Sequence, residues 1–237
     1  MSKYPKIKLV EDAKRDAQLG VDFVRLHHKG RSRKHLSWFL PDELLDVLKK
    51  KMSAKVRDKR VRLYALRQHR TEHLKISRNL KEIRKDWKRV EERYFRLVDK
   101  IFKKHPWPTG KYTGYVTVFW MYPRNIKDKT FYFPYRHRKP HYANKVIAHE
   151  VLHFMFFDYI EKKYGIDWGK EKGYGYLWKI SEAFNTTMEN WAPYKKLFVY
   201  GGHPYSGTEG MAKKMSRQWN RQKDIDKLLD RWLKRYK

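Results

Sequence analysis

The residues whose spacing could support chemistry lie in a short apolar stretch, from Ile147 to Phe154. The stretch contains the pattern His-Glu-x-x-His, with its polar members at His149, Glu150 and His153. On a helix the two histidines lie one turn apart on the same face, where both imidazoles can bind one metal ion. Glu150 lies beside them and can hold and deprotonate a water molecule that the metal activates. The spacing therefore predicts a metal site with a general base next to it.

A pattern this short also occurs by chance on surface helices, so a solvated helix with two histidines is the alternative. Two observations favour the metal site. The flanking residues are apolar in a chain of which 35% is charged, and unpaired polar groups are costly in apolar surroundings. A suitable third ligand also follows downstream. Because the chain has no cysteine, a metal must be held by histidine, carboxylate and water.

Glu182 is the best candidate for the third ligand that a catalytic zinc site requires. The other candidates after His153 are Asp158, Glu161, Glu171, Glu189 and His203. It lies in a second predicted helix, residues 177–188, which can fold back against the first helix. The small side chain of Ala183 allows the two helices to approach each other closely. The alternative for Glu182 is a surface ion pair within its own helix, for example with Lys179.

The motif followed by a glutamate on a later helix resembles the gluzincin branch of zinc metallopeptidases. The resemblance covers about residues 110–195. It implies a zincin-like fold in which His149, His153 and Glu182 bind Zn²⁺. It also implies that Glu150 acts as general base and acid in peptide hydrolysis by a zinc-bound water.

Two positions separate this chain from related branches. A metzincin would carry a third histidine where Lys163 stands. Thermolysin-like members have an aspartate, which orients a ligand histidine, where Thr186 stands. Asn185 is the candidate for that orienting role.

Peptide hydrolysis also needs a hydrogen-bond donor for the oxyanion that develops at the carbonyl. His203 and Tyr205 are the candidates, since both lie in a glycine-rich loop at residues 198–208. Tyr174 and Tyr176, just before the Glu182 helix, are the competing candidates. The alternative for the loop is a structural role, held in place by its packed aromatic residues.

The predicted elements around the motif indicate an α+β, mostly helical protein with a small sheet. Strand-like runs at 112–121 and 130–135 precede the motif helix, predicted over 144–164 and ending at Gly165. We expect the strand at 130–134 to form the edge beside the motif helix, where an extended peptide substrate can add as another strand. Residues 106–200 are thus predicted to be a zincin-like catalytic core, followed by a C-terminal loop and helix at 201–237.

Two basic segments precede this core, at residues 1–53 and 54–105. The second is predicted to be one long basic helix that packs on the core, or two helices with a break near His69 to His73. Its apolar seam from Ile76 to Ile101 has heptad-like spacing. The bulky Trp87 in that seam favours packing within the chain, and hence a monomer, over a coiled-coil dimer. The sequence leaves open whether the N-terminal 100 residues cover the cleft as an inhibitory segment.

The charge balance is strongly basic, with 57 Lys and Arg against 26 Asp and Glu, a net charge of +31. Such a chain suits a polyanionic neighbour, and nucleic acid bound by the basic helix at 75–104 is the first expectation, ahead of anionic membranes or acidic protein substrates. An alternative function is therefore a nucleic-acid-binding protein with a zincin-like scaffold and little or no catalysis.

Since no signal peptide or membrane span is visible, a soluble cytoplasmic protein is expected.

Overall fold

A computed structural model describes residues 4–28, 36–49, 52–170 and 175–236. In these ranges the protein is α+β and mostly helical, as the sequence predicts. The strands are β1 (Ile7–Val10), β2 (Tyr112–Thr117), β3 (Arg124–Asn125) and β4 (Thr130–Pro134). They form one mixed sheet in the order β1-β2-β4-β3, with β1, β2 and β4 parallel and β3 antiparallel to β4.

The structure ends β2 at Thr117, four residues before the predicted end. The backbone N–H of Val118 donates to the Asp16 carboxylate at 2.9 Å instead of to a neighbouring strand. The next N–H, of Phe119, donates to the Thr117 hydroxyl at 3.0 Å. Side-chain oxygens therefore accept the N–H groups that would otherwise bond to a neighbouring strand, and β2 ends there.

The expectation that residues 130–134 form the sheet edge is wrong. β4 lies between β2 and β3, so its outer side is paired from Thr130 to Tyr132. On its outer side Arg124 is paired with Phe131 and Asn125 with Thr130, and the Tyr132 N–H donates to the Pro123 carbonyl. The short β3, which no periodic pattern marks in the sequence, occupies the position predicted for substrate.

Nine helices have bounds within the described ranges. They are α1 (Ala13–His28), α2 (Asp42–Lys49), α3 (Ala54–Thr71), α4 (His73–Ile101), α5 (Tyr142–Tyr164), α6 (Tyr176–Glu189), α7 (Ala192–Phe198), α8 (Glu209–Gln222) and α9 (Ile225–Trp232). Two short 3₁₀ turns, Trp168–Lys170 and Lys234–Tyr236, complete the list. None of the helices in this part of the chain has the length and apolar character needed to cross a membrane.

The helix boundaries refine two predictions. The basic segment at 54–105 is two helices that meet at Glu72, within the predicted break. The C-terminal segment also contains two helices instead of one. Lys223 adopts a left-handed conformation with φ of 47°, which ends α8, and the Asp224 carboxylate then accepts the first N–H groups of α9.

The apolar seam of α4 packs within the chain, against α5, α7 and β1. Its members Ile76, Leu80, Trp87, Tyr94 and Ile101 are buried, and the remaining ones are partly buried against the same core. The basic side chains of α4 therefore remain on the opposite side of the helix, as the 3.6-residue period requires.

The N-terminal segment is joined to the sheet and to α3 by buried polar contacts. β1 pairs in parallel with β2. His69 of α3 lies between two carboxylates, 2.8 Å from Glu11 through Nδ1 and 2.8 Å from Asp16 through Nε2. Burial lowers the pKa of His69, but these two hydrogen bonds outweigh it, and its pKa is raised above the ordinary value. A charged His69 thus compensates the fully buried Asp16.

We expect His69→Ala to lower the free energy of unfolding by about 3–5 kcal/mol near pH 6, because it leaves the Asp16 carboxylate buried without its cation. Since the folded pKa is raised, the charge contribution is complete below the unfolded pKa of about 6.5 and is lost as the pH rises through the folded value. Urea unfolding of both proteins between pH 6 and pH 10 should show the difference shrinking with pH. His73→Ala, at a neighbouring exposed position, is the control and should change stability by less than about 0.5 kcal/mol.

Candidate metal centre

The motif lies in α5, which is buried on nearly every face, including Ile147, Ala148, Val151 and Leu152. A helix that is apolar all round must lie inside the protein, and α5 packs against β4, α4 and α6. It ends at Gly165, which has φ of 66° and donates its N–H to the Glu161 carbonyl, as predicted for a C-terminal cap.

The packing of α6 against α5 brings the three predicted ligands together. The Nε2 atoms of His149 and His153 lie 3.1 Å apart. The two carboxylate oxygens of Glu182 lie 3.3 Å from His149 Nε2 and 3.4 Å from His153 Nε2. Among the described residues these three form the group whose ligand atoms converge closely enough to hold a metal ion.

These distances fit zinc. Four ligand atoms at the corners of a tetrahedron, each about 2.0–2.2 Å from a central Zn²⁺, lie about 3.3–3.6 Å from one another. The two Glu182 contacts fall in that range, but each involves a different carboxylate oxygen, Oε2 toward His149 and Oε1 toward His153. The pair of imidazole nitrogens lies slightly closer. Two histidines and one glutamate are also an established donor set for catalytic zinc, with the fourth corner left open.

An unsatisfied polar atom supports the same assignment. Glu182 is 1% exposed, and its Oε2 has no hydrogen-bond partner among the described residues. A buried carboxylate oxygen without a donor is costly. Because this oxygen lies on the side of the imidazole nitrogens, a cation bound between them would satisfy it.

Glu189 orients the first ligand. Its Oε1 lies 2.8 Å from His149 Nδ1, so the ring nitrogen that faces away from the cluster is held by a carboxylate. This arrangement fixes the tautomer that leaves Nε2 free for a metal and makes the imidazole a better donor. Lys145, 3.4 Å from Glu189 Oε2, balances part of the negative charge.

Asn185 does not occupy the orienting position predicted for it. Its Nδ2 donates to the backbone carbonyl of His149 at 2.8 Å and not to an imidazole ring. From the other side of α5, the Tyr94 hydroxyl donates to the Ala148 carbonyl at 2.7 Å. The helix backbone at the motif is therefore fixed by side chains of both α6 and α4.

Arg124, from β3, brings a positive charge to the site. Its guanidinium donates to Glu182 Oε1 at 2.9 Å and lies 3.4 Å from Glu150 Oε2. Glu150 is itself 3% exposed. One guanidinium thus keeps the general-base candidate and the third ligand close together, although their charges repel.

The two histidines have opposite pKa shifts. Burial lowers the pKa of His149, but the charge of Glu189, the close contact with Glu182 and the hydrogen bond with Glu189 outweigh it and raise the pKa to about 10. Burial dominates at His153 and, together with the charge of Arg124, lowers its pKa to about 3. A metal ion at His149 Nε2 would therefore have to displace a proton, whereas the ring of His153 is already neutral.

The pKa values of Glu150 and Glu182 are also shifted in opposite directions. Burial raises the pKa of Glu150 to about 7, although Arg124 and His149 oppose it. Burial raises the pKa of Glu182 as well, but Arg124 and the imidazoles outweigh it and hold that pKa well below its ordinary value. Glu182 is thus suited to remain an anionic ligand, and Glu150 is suited to exchange a proton near neutral pH.

Two cavities flank the cluster. A polar cavity of about 360 Å³ is bordered by His149, Glu150 and Glu189. An apolar cavity of about 510 Å³ is bordered by Glu182 and Arg124. Both predicted oxyanion donors lie near the cluster, with His203 lining the polar cavity and Tyr205 lining both.

The competing tyrosines are placed differently. The ring of Tyr176 stacks on Tyr236, with ring centroids 6.2 Å apart, and Tyr174 lies outside the described residues. Tyr122 and Tyr142 also line the polar cavity, and no sequence pattern marked them.

The sequence interpretation missed Arg124, and it considered Glu189 only as an alternative metal ligand and not as the residue that orients His149. Glu189 lies seven residues, or two helical turns, beyond Glu182 on the same face of α6, and that spacing was a usable signal. Arg124 is one of 57 basic residues and lies in a turn-like run. Only the pairing of β3 with β4 gives it its position.

No model of a known protein family, no curated protein and no solved structure matches the chain. The chemistry of the site therefore has to follow from its own residues and distances. The convergent nitrogen and oxygen atoms of His149, His153 and Glu182 could hold a metal ion. Ligands of this kind suit a metal of borderline softness, and Zn²⁺ is one candidate.

Glu189→Gln should weaken zinc binding about 10–100-fold, because an amide orients His149 but no longer strengthens it as a donor. The measurement is competition with a chromophoric chelator at fixed pH. Glu209→Gln, an exposed position at the start of α8, is the matched control and should leave the affinity unchanged. Equal zinc affinities for Glu189→Gln and the unaltered protein would contradict the assignment of Glu189.

Proposed function

We propose that the protein is a zinc-dependent metallopeptidase. The observation that carries the proposal is the convergence of His149, His153 and Glu182, whose nitrogen and oxygen atoms lie close enough together to hold one metal ion. A second carboxylate, Glu150, lies beside this cluster and lines the adjoining cavity. Three protein ligands with an open corner are typical of a catalytic site, since structural zinc sites usually have four.

Each residue of the site has a role in this reaction. When bound, zinc acts as a Lewis acid that polarises the peptide carbonyl and lowers the pKa of water. Glu150 accepts a proton from the attacking water and then delivers it to the amine that leaves. Arg124 keeps Glu150 close to the ligand carboxylate.

The oxyanion donor comes from the loop between α7 and α8. His203 and Tyr205 are both exposed, so they stand at the mouth of the site, where the carbonyl of a bound peptide lies. The Tyr205 ring is held edge-on against Trp178, with centroids 5.5 Å apart. That contact limits its motion, which favours Tyr205 as the fixed donor.

Metal analysis and one substitution test the proposal. We expect one zinc per chain after preparation with excess metal, and none in His149→Ala. Glu150→Gln should keep the zinc and lower kcat/KM for a peptide substrate by at least about 10²–10⁴-fold, because it removes general acid–base catalysis. Glu161→Gln, exposed on the same helix, is the control and should keep full activity. Absence of zinc from the metal-treated protein would rule the proposal out.

A second candidate function rests on the outer face of α4. Arg78, Lys81, Lys85 and Lys88 are exposed and spaced at three and four residues, so they form one stripe on the face opposite the buried seam. The stripe spans about 15 Å at 1.5 Å per residue. Such a row of cations suits the phosphates of a nucleic acid, which is also consistent with a peptidase that acts on nucleoprotein.

Replacing these four residues with glutamine should weaken binding to duplex DNA and reduce its salt dependence. Each lost phosphate contact lowers the slope of log K against log salt by about 0.9. Fluorescence anisotropy at several salt concentrations measures both effects. The control is the same exchange at Lys213, Lys214, Arg217 and Arg221, which are exposed on α8. Equal effects of the two quadruple variants would show that net charge, and not the stripe, controls binding.

A further inference from the structure

The apolar cavity beside the metal centre has a wall from a part of the chain that the metal motif does not include. Leu19, Phe23 and Leu26 line it from α1. Their spacing of four and three residues places them on one stripe of that helix. Phe39 continues the wall, with its ring 5.3 Å from that of Phe23. We call this cavity the α1 pocket.

Side chains from α5 and α6 also line this pocket. They are Phe157 of α5 and Trp178 of α6. Trp168 packs against Phe157, with ring centroids 5.5 Å apart. Aromatic and aliphatic carbons therefore line most of the α1 pocket, so apolar groups are favoured inside it.

The position of α1 is fixed by close contacts. A Cβ atom on Gly20 would lie 2.4 Å from the Phe119 ring, so glycine is needed for α1 to lie this close to the end of β2. The Asp16 carboxylate accepts the N–H of Val118 at 2.9 Å. Arg25 also binds Asp58 of α3 through two nitrogens, at 2.6 and 2.9 Å. α1 is therefore a permanent wall and not a removable cover.

The α1 pocket is continuous with the metal centre. Glu182, the third ligand, and Arg124 border it directly. Tyr122 and Tyr205 line both this pocket and the polar cavity next to His149. A peptide bound across the cluster would therefore have the polar cavity on one side and the α1 pocket on the other.

We propose that the α1 pocket binds a large apolar side chain of the substrate next to the scissile bond, so that α1 determines cleavage specificity. This inference rests on the proposed peptidase function. A volume of about 510 Å³ accommodates an aromatic or long aliphatic side chain. The peptide substrate class is therefore one with Phe, Leu, Met or Trp at a fixed position relative to the cleaved bond.

Cleavage of a mixed peptide library by the zinc-loaded full chain, with product termini sequenced by mass spectrometry, tests the inference. We expect large apolar residues at one fixed position relative to the cleaved bond. Replacing that residue with alanine should lower kcat/KM about 10–200-fold. Leu19→Trp narrows the α1 pocket and should remove most of this preference. Phe23→Ala enlarges it and should shift the preference toward tryptophan.

Two further variants distinguish a change in substrate binding from a loss of folding and from an effect that any substitution in α1 would have. Leu26 is 72% exposed at the rim, so Leu26→Glu places a charge at the entrance with little effect on the fold. It should lower kcat/KM for apolar peptides at least 10-fold. Lys14→Ala, exposed on another face of α1, is the control and should behave as the unaltered protein. Unchanged residue preference in Leu19→Trp, Phe23→Ala and Leu26→Glu would overturn the inference while the peptidase function stands.

A binding measurement separates failure of the inference from failure of the proposed function. Zinc-binding hydroxamates with a benzyl or a methyl side chain are compared by tryptophan fluorescence, since Trp178 and Trp168 border the α1 pocket. We expect at least 10-fold tighter binding of the benzyl compound, and loss of that difference in Leu19→Trp. If zinc binds but no peptide is cleaved, this result still decides the inference. Equal affinities for the two compounds would overturn it.

Discussion

The structure depends on compensating the charges buried between α5 and α6. Two imidazoles and three carboxylates, those of Glu150, Glu182 and Glu189, lie within or next to the protein core. Arg124 and Lys145 supply positive charge from β3 and from α5 itself. Buried ionic groups are tolerated only when they are paired in good geometry, so the helices, the short strand and the loop around them have little freedom to move.

This constraint explains why the surrounding elements are so apolar. The backbone at the motif is held from two sides, by Tyr94 at the Ala148 carbonyl and by Asn185 at the His149 carbonyl. Those contacts keep the imidazoles in one orientation. A site that is fixed in this way loses little conformational entropy when it binds a metal or a substrate.

The division of the site into a polar and an apolar cavity follows from the same layout. His149 and Glu189 face the polar cavity, and Glu182 faces the α1 pocket. Because the cluster lies between the two, its two sides present different surfaces to a ligand. Asymmetry of this kind would orient a ligand that reaches both cavities.

The sequence was sufficient for the parts of the site that depend on helical spacing. His149, Glu150 and His153 lie within five residues, and the helix period places them together without knowledge of the fold. Glu182 could be predicted as a ligand because the apolar residues of α6 recur on one face of that helix. The seam of α4 was visible for the same reason, and so was its packing within the chain.

Other features depend on contacts between distant parts of the chain and could not be predicted. β1 has only four residues and is a strand because β2 pairs with it. Arg124 reaches two glutamates only because β3 turns back on β4. The prediction that residues 130–134 form the edge failed because Arg124 and Asn125 pair with Phe131 and Thr130 and so make β3 the outermost strand.

The parallel pairing of β1 with β2 has a consequence for how the chain folds. Ile7 is paired with Tyr112, so about 100 residues of chain must be closed into a loop before this contact forms. Loop closure of that length costs entropy before any contact repays it, and non-local pairing of this kind slows folding. The helices α5 and α6, by contrast, are near neighbours in sequence. During synthesis, β1 must remain without its partner until β2 has left the ribosome.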